Sequence, residues 1–161
     1  MKCVIHGSGG VGGYYGGCLA RAGHEVFFIA RGAHLEAIQK QGLSIKSAKG
    51  DFRIETPKSG ERCDPNFYPD LVIVAVKSWQ LHEITEEIKN YCTPSTLILP
   101  LQNGADASDI LADTLGPNRV LGGLTKIFSK IEAPGVINHF TGATYIGFGE
   151  YFQDPQFQNE P

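Results

Sequence analysis

The chain of 161 residues lacks blocks of basic residues, long apolar runs and a leader-like start. Lys and Arg number 14 against 17 Asp and Glu, a net charge of −3, so the positive surface that binds a phosphate backbone is missing. We therefore expect no nucleic-acid partner. The longest apolar runs, such as Leu71 to Val76, are too short to cross a bilayer, and Gly7 interrupts the start before a signal-peptide core can form. We expect no membrane partner and a cytoplasmic location.

Several kinds of site are also excluded. The four cysteines form no C-x-x-C pair, which excludes a zinc knuckle and a disulfide framework, and the five histidines have no ligand spacing. We expect no metal and interpret the histidines as surface or core residues. No Gly-Lys pair exists to form a P-loop, and Ser8 lacks the G-x-S-x-G context of a hydrolase. The cysteines are Cys3, Cys18, Cys63 and Cys92, and the histidines are His6, His24, His34, His82 and His139.

Glycine is abundant, with 20 residues, and the length suits one domain. Short β-branched or aromatic runs alternate with helical spacings of apolar residues, and glycines stand where helices should end. This alternation predicts an α/β fold, Rossmann-type and doubly wound, with a mainly parallel sheet. A hairpin turning at Lys49-Gly50 and a proline-containing loop precede the third main strand. Main strands are expected at Val4-Ile5, at 26–29, at 71–76 and at 96–101, with helices ended by Gly23, Gly42 and Gly116 and one capped by Ser78.

The pattern changes from Val120 onward. Three short strand signals, at 120–121, 136–137 and 145–146, are separated by turn residues that include Pro134-Gly135. They predict an antiparallel strand extension at one edge of the sheet. Periodicity is lost soon after Glu150, so we interpret residues 1–150 as the domain and residues 151–161 as a linker or tail.

The strongest motif is the glycine-rich turn Gly7-Ser8-Gly9-Gly10-Val11-Gly12, which has the G-x-G-x-x-G pattern between a strand and a helix. Gly7 permits a tight turn, Gly9 lets the backbone approach a pyrophosphate at the helix N-terminus, and Gly12 allows close packing of helix on strand. A turn that is glycine-rich for structural reasons alone is the alternative. More glycines inside the helix indicate close approach by another backbone or a ligand. They are Gly13, Gly16 and Gly17.

Arg31 stands at the end of the second strand, where a site for NAD usually has an acidic residue that binds the ribose 2′-hydroxyl. No carboxylate is present in the segment Ile29-Ala30-Arg31-Gly32. A planar guanidinium at this place can bind a 2′-phosphate with two hydrogen bonds. A solvated arginine at the start of a helix is the alternative. We therefore favour NADP(H) as the cofactor.

Lys77 and Asn103 follow the third and fourth main strands directly. The carboxyl edge of an open α/β sheet is where such folds bind ligands, so Lys77 is placed to put a positive charge near a cofactor or an anionic substrate. The amide of Asn103 can bond ribose and substrate hydroxyl groups. A solvated lysine in a loop and an Asn-Gly turn are the structural alternatives.

Six segments of the chain together resemble the N-terminal half of the ketopantoate reductase family, the 2-dehydropantoate 2-reductases. The segments are 7–17, 22–26, 29–35, 71–80, 101–104 and 134–137. The resemblance runs from Met1 to about Glu150. Six motifs in the right order are more specific than one glycine-rich turn.

The resemblance implies NADPH-dependent reduction of 2-dehydropantoate to pantoate, a step toward pantothenate and coenzyme A. It gives the turn from Gly7 to Gly12 the pyrophosphate and Arg31 the 2′-phosphate. It also places Lys77 and Asn103 around the nicotinamide ribose, gives Asn103 a further contact with the substrate, and brings Phe128 near the cofactor.

Members of that family continue into a mainly helical second domain, which supplies the lysine acting as general acid and most substrate contacts. This chain stops before that domain. We therefore expect it to be the cofactor-binding half of a longer protein, with no catalytic residue of its own and with the C-terminal domain and a small 2-keto acid as partners. Lys126 and Lys130 match nothing in the family's acid motif.

Two other functions are open at this point. The same fold can serve as a non-catalytic module that senses NADP(H) or binds a partner, since fold does not determine function. Alternatively, the chemistry is kept and the substrate is another 2-keto acid.

Overall fold

A computed structural model describes residues 1–140, 142 and 144–151, and a parallel sheet lies at its centre. The helices are α1 Gly10–Arg21, α2 Gly32–Gln41, α3 Leu81–Lys89 and α4 Ala107–Leu115, with short 3-10 turns at Ser78–Gln80 and Pro117–Arg119. The strands are β1 Lys2–His6, β2 Glu25–Ile29, β3 Leu43–Ser47, β4 Phe52–Ile54, β5 Lys58–Gly60, β6 Leu71–Val74, β7 Leu97–Pro100, β8 Leu121–Lys126, β9 Ser129–Ala133, β10 Val136–His139 and β11 Tyr145–Glu150.

The central sheet has the strand order β5-β2-β1-β6-β7, and every neighbouring pair is parallel. This is the order of a doubly wound nucleotide-binding sheet, in which the chain moves outward in opposite directions from the middle. Val4, Val72 and Ile98 are fully buried on this sheet, as expected for parallel strands covered on both faces. The predicted fold class is confirmed, and Gly23, Gly42 and Gly116 follow the ends of their helices as expected.

Helix α1 lies between the central sheet and a second sheet of order β4-β3-β10-β9. Its glycines make this possible on both sides. A Cβ on Gly16 would lie 2.6 Å from Ile5 of the central sheet, and a Cβ on Gly13 would lie 2.8 Å from Ile137 of the second sheet. The close neighbours of these two helix glycines are therefore strand side chains.

Two local expectations are wrong. The strand β5 lies in the segment predicted as a loop. It pairs with β2 through its backbone and has no apolar run that would reveal it. Ser78 does not cap α3, because Ser78–Gln80 forms a 3-10 turn and the helix begins at Leu81. In that turn the backbone N–H of Lys77 donates to Oε1 of Gln80 at 3.2 Å.

The strands after Val120 divide between two places. β8 and β11 form an antiparallel pair beside β7, linked to it by a bridge between Ile98 and Val120, which is the extension expected at the sheet edge. β9 and β10 instead join the hairpin of β3 and β4, with β10 parallel to β3. The second sheet therefore combines segments that are far apart in the chain.

The predicted tail begins at Tyr151, whose side chain packs against the core and whose hydroxyl donates to Asp109. The remainder of the predicted tail, 152–161, lies outside the described residues. None of the helices in the described ranges has the length and apolar character needed to cross a bilayer.

Candidate functional site

A cleft of about 620 Å³ opens at the carboxyl ends of β1, β2, β6 and β7. It lies where the strand order reverses between β1 and β6, the usual ligand position in such sheets. The structure brings eight of the ten predicted cofactor residues to this cleft and leaves out Gly12 and Phe128. The eight are Gly7, Ser8, Gly9, Gly10, Val11, Arg31, Lys77 and Asn103.

The glycines of the turn have different physical roles. A Cβ on Gly7 would lie 2.8 Å from the backbone nitrogen of Val76, and a Cβ on Gly12 would collide with the carbonyl oxygen of Gly7. Gly7 and Gly12 are therefore required by packing, which explains why Gly12 does not line the cleft. A Cβ on Gly9 would meet no protein atom within 4 Å, although Gly9 lines the cleft. Packing does not require glycine at this position, and the absence of a side chain leaves the backbone open to the cleft.

The N-terminus of α1 presents backbone donors to the same cleft. The first bond within the helix runs from the N–H of Gly13 to the carbonyl of Gly9 at 2.7 Å. The N–H groups at the start of the helix therefore have no acceptor in the preceding turn, and they carry the positive end of the helix dipole. This arrangement suits a phosphate group.

The charge of the cleft is positive. Among its described lining residues Arg31 and Lys77 carry formal positive charge, and none is Asp or Glu. Arg31 is exposed, directly after β2, and its side chain makes no ion pair or hydrogen bond within the described ranges. It also borders a second cavity of about 700 Å³, whose lining contains Arg62 and four glutamates, Glu61, Glu83, Glu86 and Glu87. Arg31 therefore stands at the junction of two cavities with its guanidinium available.

The end of β7 brings amide groups into the cleft. Asn103 is exposed, as a residue that contacts a ligand must be. The amide nitrogen and oxygen of Gln102 are buried and have no hydrogen-bond partner among the described residues, and the same holds for Oγ of Ser129. Buried polar atoms without partners are rare, so their presence in this wall supports a binding role for the cleft.

Alternate residues of the passage from β8 to β9 face the cleft. They are Thr125, Ile127, Ser129 and Ile131. Side chains of an extended chain point alternately to opposite sides, so Phe128 falls on the other side. Its ring is half exposed and packs on Phe140, with 6.4 Å between the centroids. The placement gives no support to the cofactor contact expected of Phe128, and Ile127 and Ser129 occupy that part of the wall.

Two histidines, His6 and His34, line the cleft, although the sequence predicted no ligand contact for either. His6 is buried at the end of β1, where burial and then the charge of Arg31 lower its pKa to about 4. His34 is partly buried in the first turn of α2, and burial lowers its pKa. His6 and His139 are core residues, as predicted. The described residues contain no group of three or more potential metal ligands.

The sheet order and the glycine turn at the end of β1 define a Rossmann-type α/β domain. The family model of the ketopantoate reductases PanE/ApbA matches residues 3–151, and this chain belongs to that family. It is therefore a member of a family of oxidoreductases.

Similar proteins agree with this assignment. The chain is 36% identical over 153 residues to an uncharacterized oxidoreductase of Bacillus subtilis, covering 94% of this chain and 49% of that protein. It is 34% identical over 148 residues to a 2-dehydropantoate 2-reductase of Pyrococcus abyssi, covering 91% of this chain and 47% of that protein. The crystal structure of 2-dehydropantoate 2-reductase from Geobacter metallireducens matches with a TM-score of 0.89 and 34% identity, covering 96% of this chain and 50% of that one.

A D-mandelate dehydrogenase solved with NADH has the same fold, with a TM-score of 0.86 at 24% identity. The chain spans about half the length of the curated relatives it matches.

Proposed function

We propose that this chain is the NADP(H)-binding half of a reductase that converts 2-dehydropantoate to pantoate in the cytoplasm. One observation carries the proposal: a glycine turn that is open at Gly9, and an Arg31 side chain without a hydrogen-bond or ion-pair partner among the described residues, lie at the ends of the adjacent strands β1 and β2. The described lining of their cleft contains no acidic residue. A helix N-terminus and a guanidinium at the ends of adjacent strands suit a dinucleotide that carries a 2′-phosphate.

The chain's own residues bind and orient the cofactor. The N-terminus of α1 holds the pyrophosphate beside Gly9, and the guanidinium of Arg31 holds the 2′-phosphate. Lys77 and Asn103 hold the ribose at the other end of the cleft, and Asn103 also contacts the substrate. When bound, NADPH supplies the hydride for the ketone carbon of the substrate.

Calorimetric titration of the chain with NADPH and with NADH tests the cofactor. We expect NADPH to bind more tightly, because Arg31 offers a partner to the 2′-phosphate and the described lining of the cleft has no carboxylate for a free 2′-hydroxyl. Equal affinities would contradict NADP(H) as the cofactor. If neither cofactor binds, the proposed function as a whole is contradicted.

The general acid is proposed to come from outside residues 1–161. The relatives are about twice as long as this chain. Among the cleft residues described, His6 has a pKa of about 4 and a buried bond to Tyr91, so at neutral pH it is a neutral imidazole, which is too weak an acid for this step. Without a positioned acid, reduction of a ketone loses a factor of roughly 10² to 10⁴. We therefore expect this chain to bind NADPH but to oxidise it very slowly with 2-dehydropantoate. Fast turnover that Lys77→Ala abolishes would contradict this expectation.

Reduction of another 2-keto acid is the second candidate. One observation favours it: the same fold occurs in a D-mandelate dehydrogenase, which acts on a different substrate. Asn103 is the only substrate contact proposed on this chain, so a panel of 2-keto acids assayed with the full-length protein distinguishes the two substrates. NADPH binding without turnover of any of them would instead favour a cofactor-sensing module.

A further inference from the structure

His34 joins three elements through its ring nitrogens. Nδ1 lies 3.0 Å from the backbone nitrogen of Gly135, and Nε2 lies 2.9 Å from the carbonyl oxygen of Ser8. A backbone N–H can only donate and a carbonyl can only accept, so the neutral ring carries its proton on Nε2. Both ring nitrogens are therefore bonded, and the orientation of the ring is fixed.

Ser8, at the centre of the glycine turn, is held by the segment that carries Arg31. Its backbone N–H and its hydroxyl both donate to the carbonyl of Ile29, at 3.0 and 2.9 Å. Its own carbonyl accepts the bond from His34, three residues after Arg31 in the chain. The three polar groups of this buried residue thus all bond to residues that flank Arg31.

The other side of His34 is fixed by the turn between β9 and β10. The N–H of Gly135 donates to His34, and the carbonyl of Gly135 accepts from the N–H of Ser44 in β3 at 2.9 Å. Gly135 therefore cannot follow His34 if the start of α2 moves. The second sheet holds His34 in place, and His34 in turn holds the glycine turn.

We propose that His34 is a positioning residue that couples Arg31 to the glycine turn and thereby sets the preference for a 2′-phosphorylated cofactor. This inference rests on the proposed function. Arg31 lies at the N-terminal boundary of α2, so its backbone moves with the first turn of that helix. A long guanidinium side chain reaches a phosphate reliably only from a fixed backbone, and the bond from His34 to Ser8 supplies that constraint across the two phosphate sites.

The test compares NADPH and NADH affinities, by calorimetry, in the wild type, His34→Phe and His34→Gln. Phe keeps the ring shape and removes both bonds, and we expect it to weaken NADPH binding about tenfold and NADH binding less than about threefold. Gln keeps an N–H donor for Ser8 and should restore part of the NADPH preference. In the Arg31→Ala background, His34→Phe should leave the ratio of the two affinities unchanged.

The control is His82→Phe, an exposed histidine of α3 that does not line the cleft. Thermal unfolding shows whether each variant is folded, and His34→Leu, which also removes both bonds, replaces His34→Phe if that variant is not. An unchanged NADPH preference in a folded variant that lacks both bonds, or an equal loss for both cofactors, overturns the inference. Failure of the wild type to bind either cofactor overturns the proposed function instead, which makes the two failures distinguishable.

Discussion

The hydroxyl oxygen of Tyr91 lies 2.7 Å from Nδ1 of His6, and both side chains are buried beneath the glycine turn. The two rings are nearly parallel, with 6.3 Å between their centroids. Burial and the charge of Arg31 together hold the pKa of His6 at about 4, below its ordinary value of 6.5. His6 is therefore neutral at pH 7, and its fixed ring supports the residue that begins the turn.

This pair predicts a pH dependence of stability. Unfolded His6 takes up a proton near its ordinary pKa of 6.5, whereas folded His6 resists protonation down to about 4. Protonation of His6 therefore does not reduce the free energy of unfolding above pH 6.5. It reduces that free energy progressively as the pH falls toward 4, where the loss reaches about 3 kcal/mol. Urea unfolding of the wild type and of His6→Gln at pH 7 and pH 5 measures it, and the variant should show the smaller decrease. Equal decreases in the two proteins would contradict the buried neutral state of His6.

The guanidinium of Arg31 should discriminate between the cofactors. Arg31→Ala removes a charge-assisted hydrogen bond to the 2′-phosphate, so we expect NADPH affinity to fall roughly 10- to 100-fold with little change for NADH. Arg62→Ala is the matched control, because Arg62 borders the second cavity but not the cleft. Calorimetry with both cofactors measures the effect. An unchanged preference in Arg31→Ala would assign discrimination to another residue.

Gly9 and Gly16 should respond to the same substitution in opposite ways. Gly9→Val places a side chain where no protein atom lies within 4 Å, so the fold should persist while the pyrophosphate is obstructed. Gly16→Val drives a side chain into Ile5 and Phe28 and should destabilise the domain by about 1 to 3 kcal/mol. Thermal unfolding and NADPH titration of both variants separate the two effects. If Gly9→Val unfolds the chain or binds NADPH normally, the turn serves the backbone alone.

Ile127 and Phe128 provide a test of the wall opposite the sheet. Ile127 lines the cleft and Phe128 does not, so Ile127→Ala should weaken NADPH binding about fivefold through lost apolar contact, and Phe128→Ala less than twofold. The larger ring of Phe128 makes it the more severe truncation by size, so size alone predicts the reverse order. A greater loss for Phe128→Ala would restore the cofactor contact that the family resemblance implies for it.

Site residues that belong to one continuous strand, turn and helix can be predicted from the sequence. The turn from Gly7 to Gly12 and Arg31 belong to adjacent local patterns, and the ends of parallel strands necessarily share an edge. Lys77 and Asn103 follow from the same rule. For this reason the position of the cleft and eight of its lining residues could be predicted without coordinates.

Site residues whose position depends on pairing between strands far apart in the sequence cannot be predicted in this way. The role of His34 requires Gly135 to lie beside it, which follows from the parallel pairing of β10 with β3. The resemblance implies a cofactor contact for Phe128, and the register that brings Ile127 to the cleft instead cannot be read from one sequence. β5 is defined by its backbone pairing with β2, and its side chains form no apolar pattern that would reveal it.

The sandwiching of α1 between two sheets has a consequence for synthesis of the protein. Ser47 of β3 and His139 of β10 are hydrogen-bonded at 2.8 Å although 92 residues separate them. At the usual rate of translation about 5 to 20 s pass between their appearances on the ribosome. During that interval one side of α1 and one edge of the nascent β3–β4 hairpin face the solvent uncovered. We therefore expect the nascent chain to be most prone to aggregation, and most dependent on chaperones, until the strand ending at His139 has emerged.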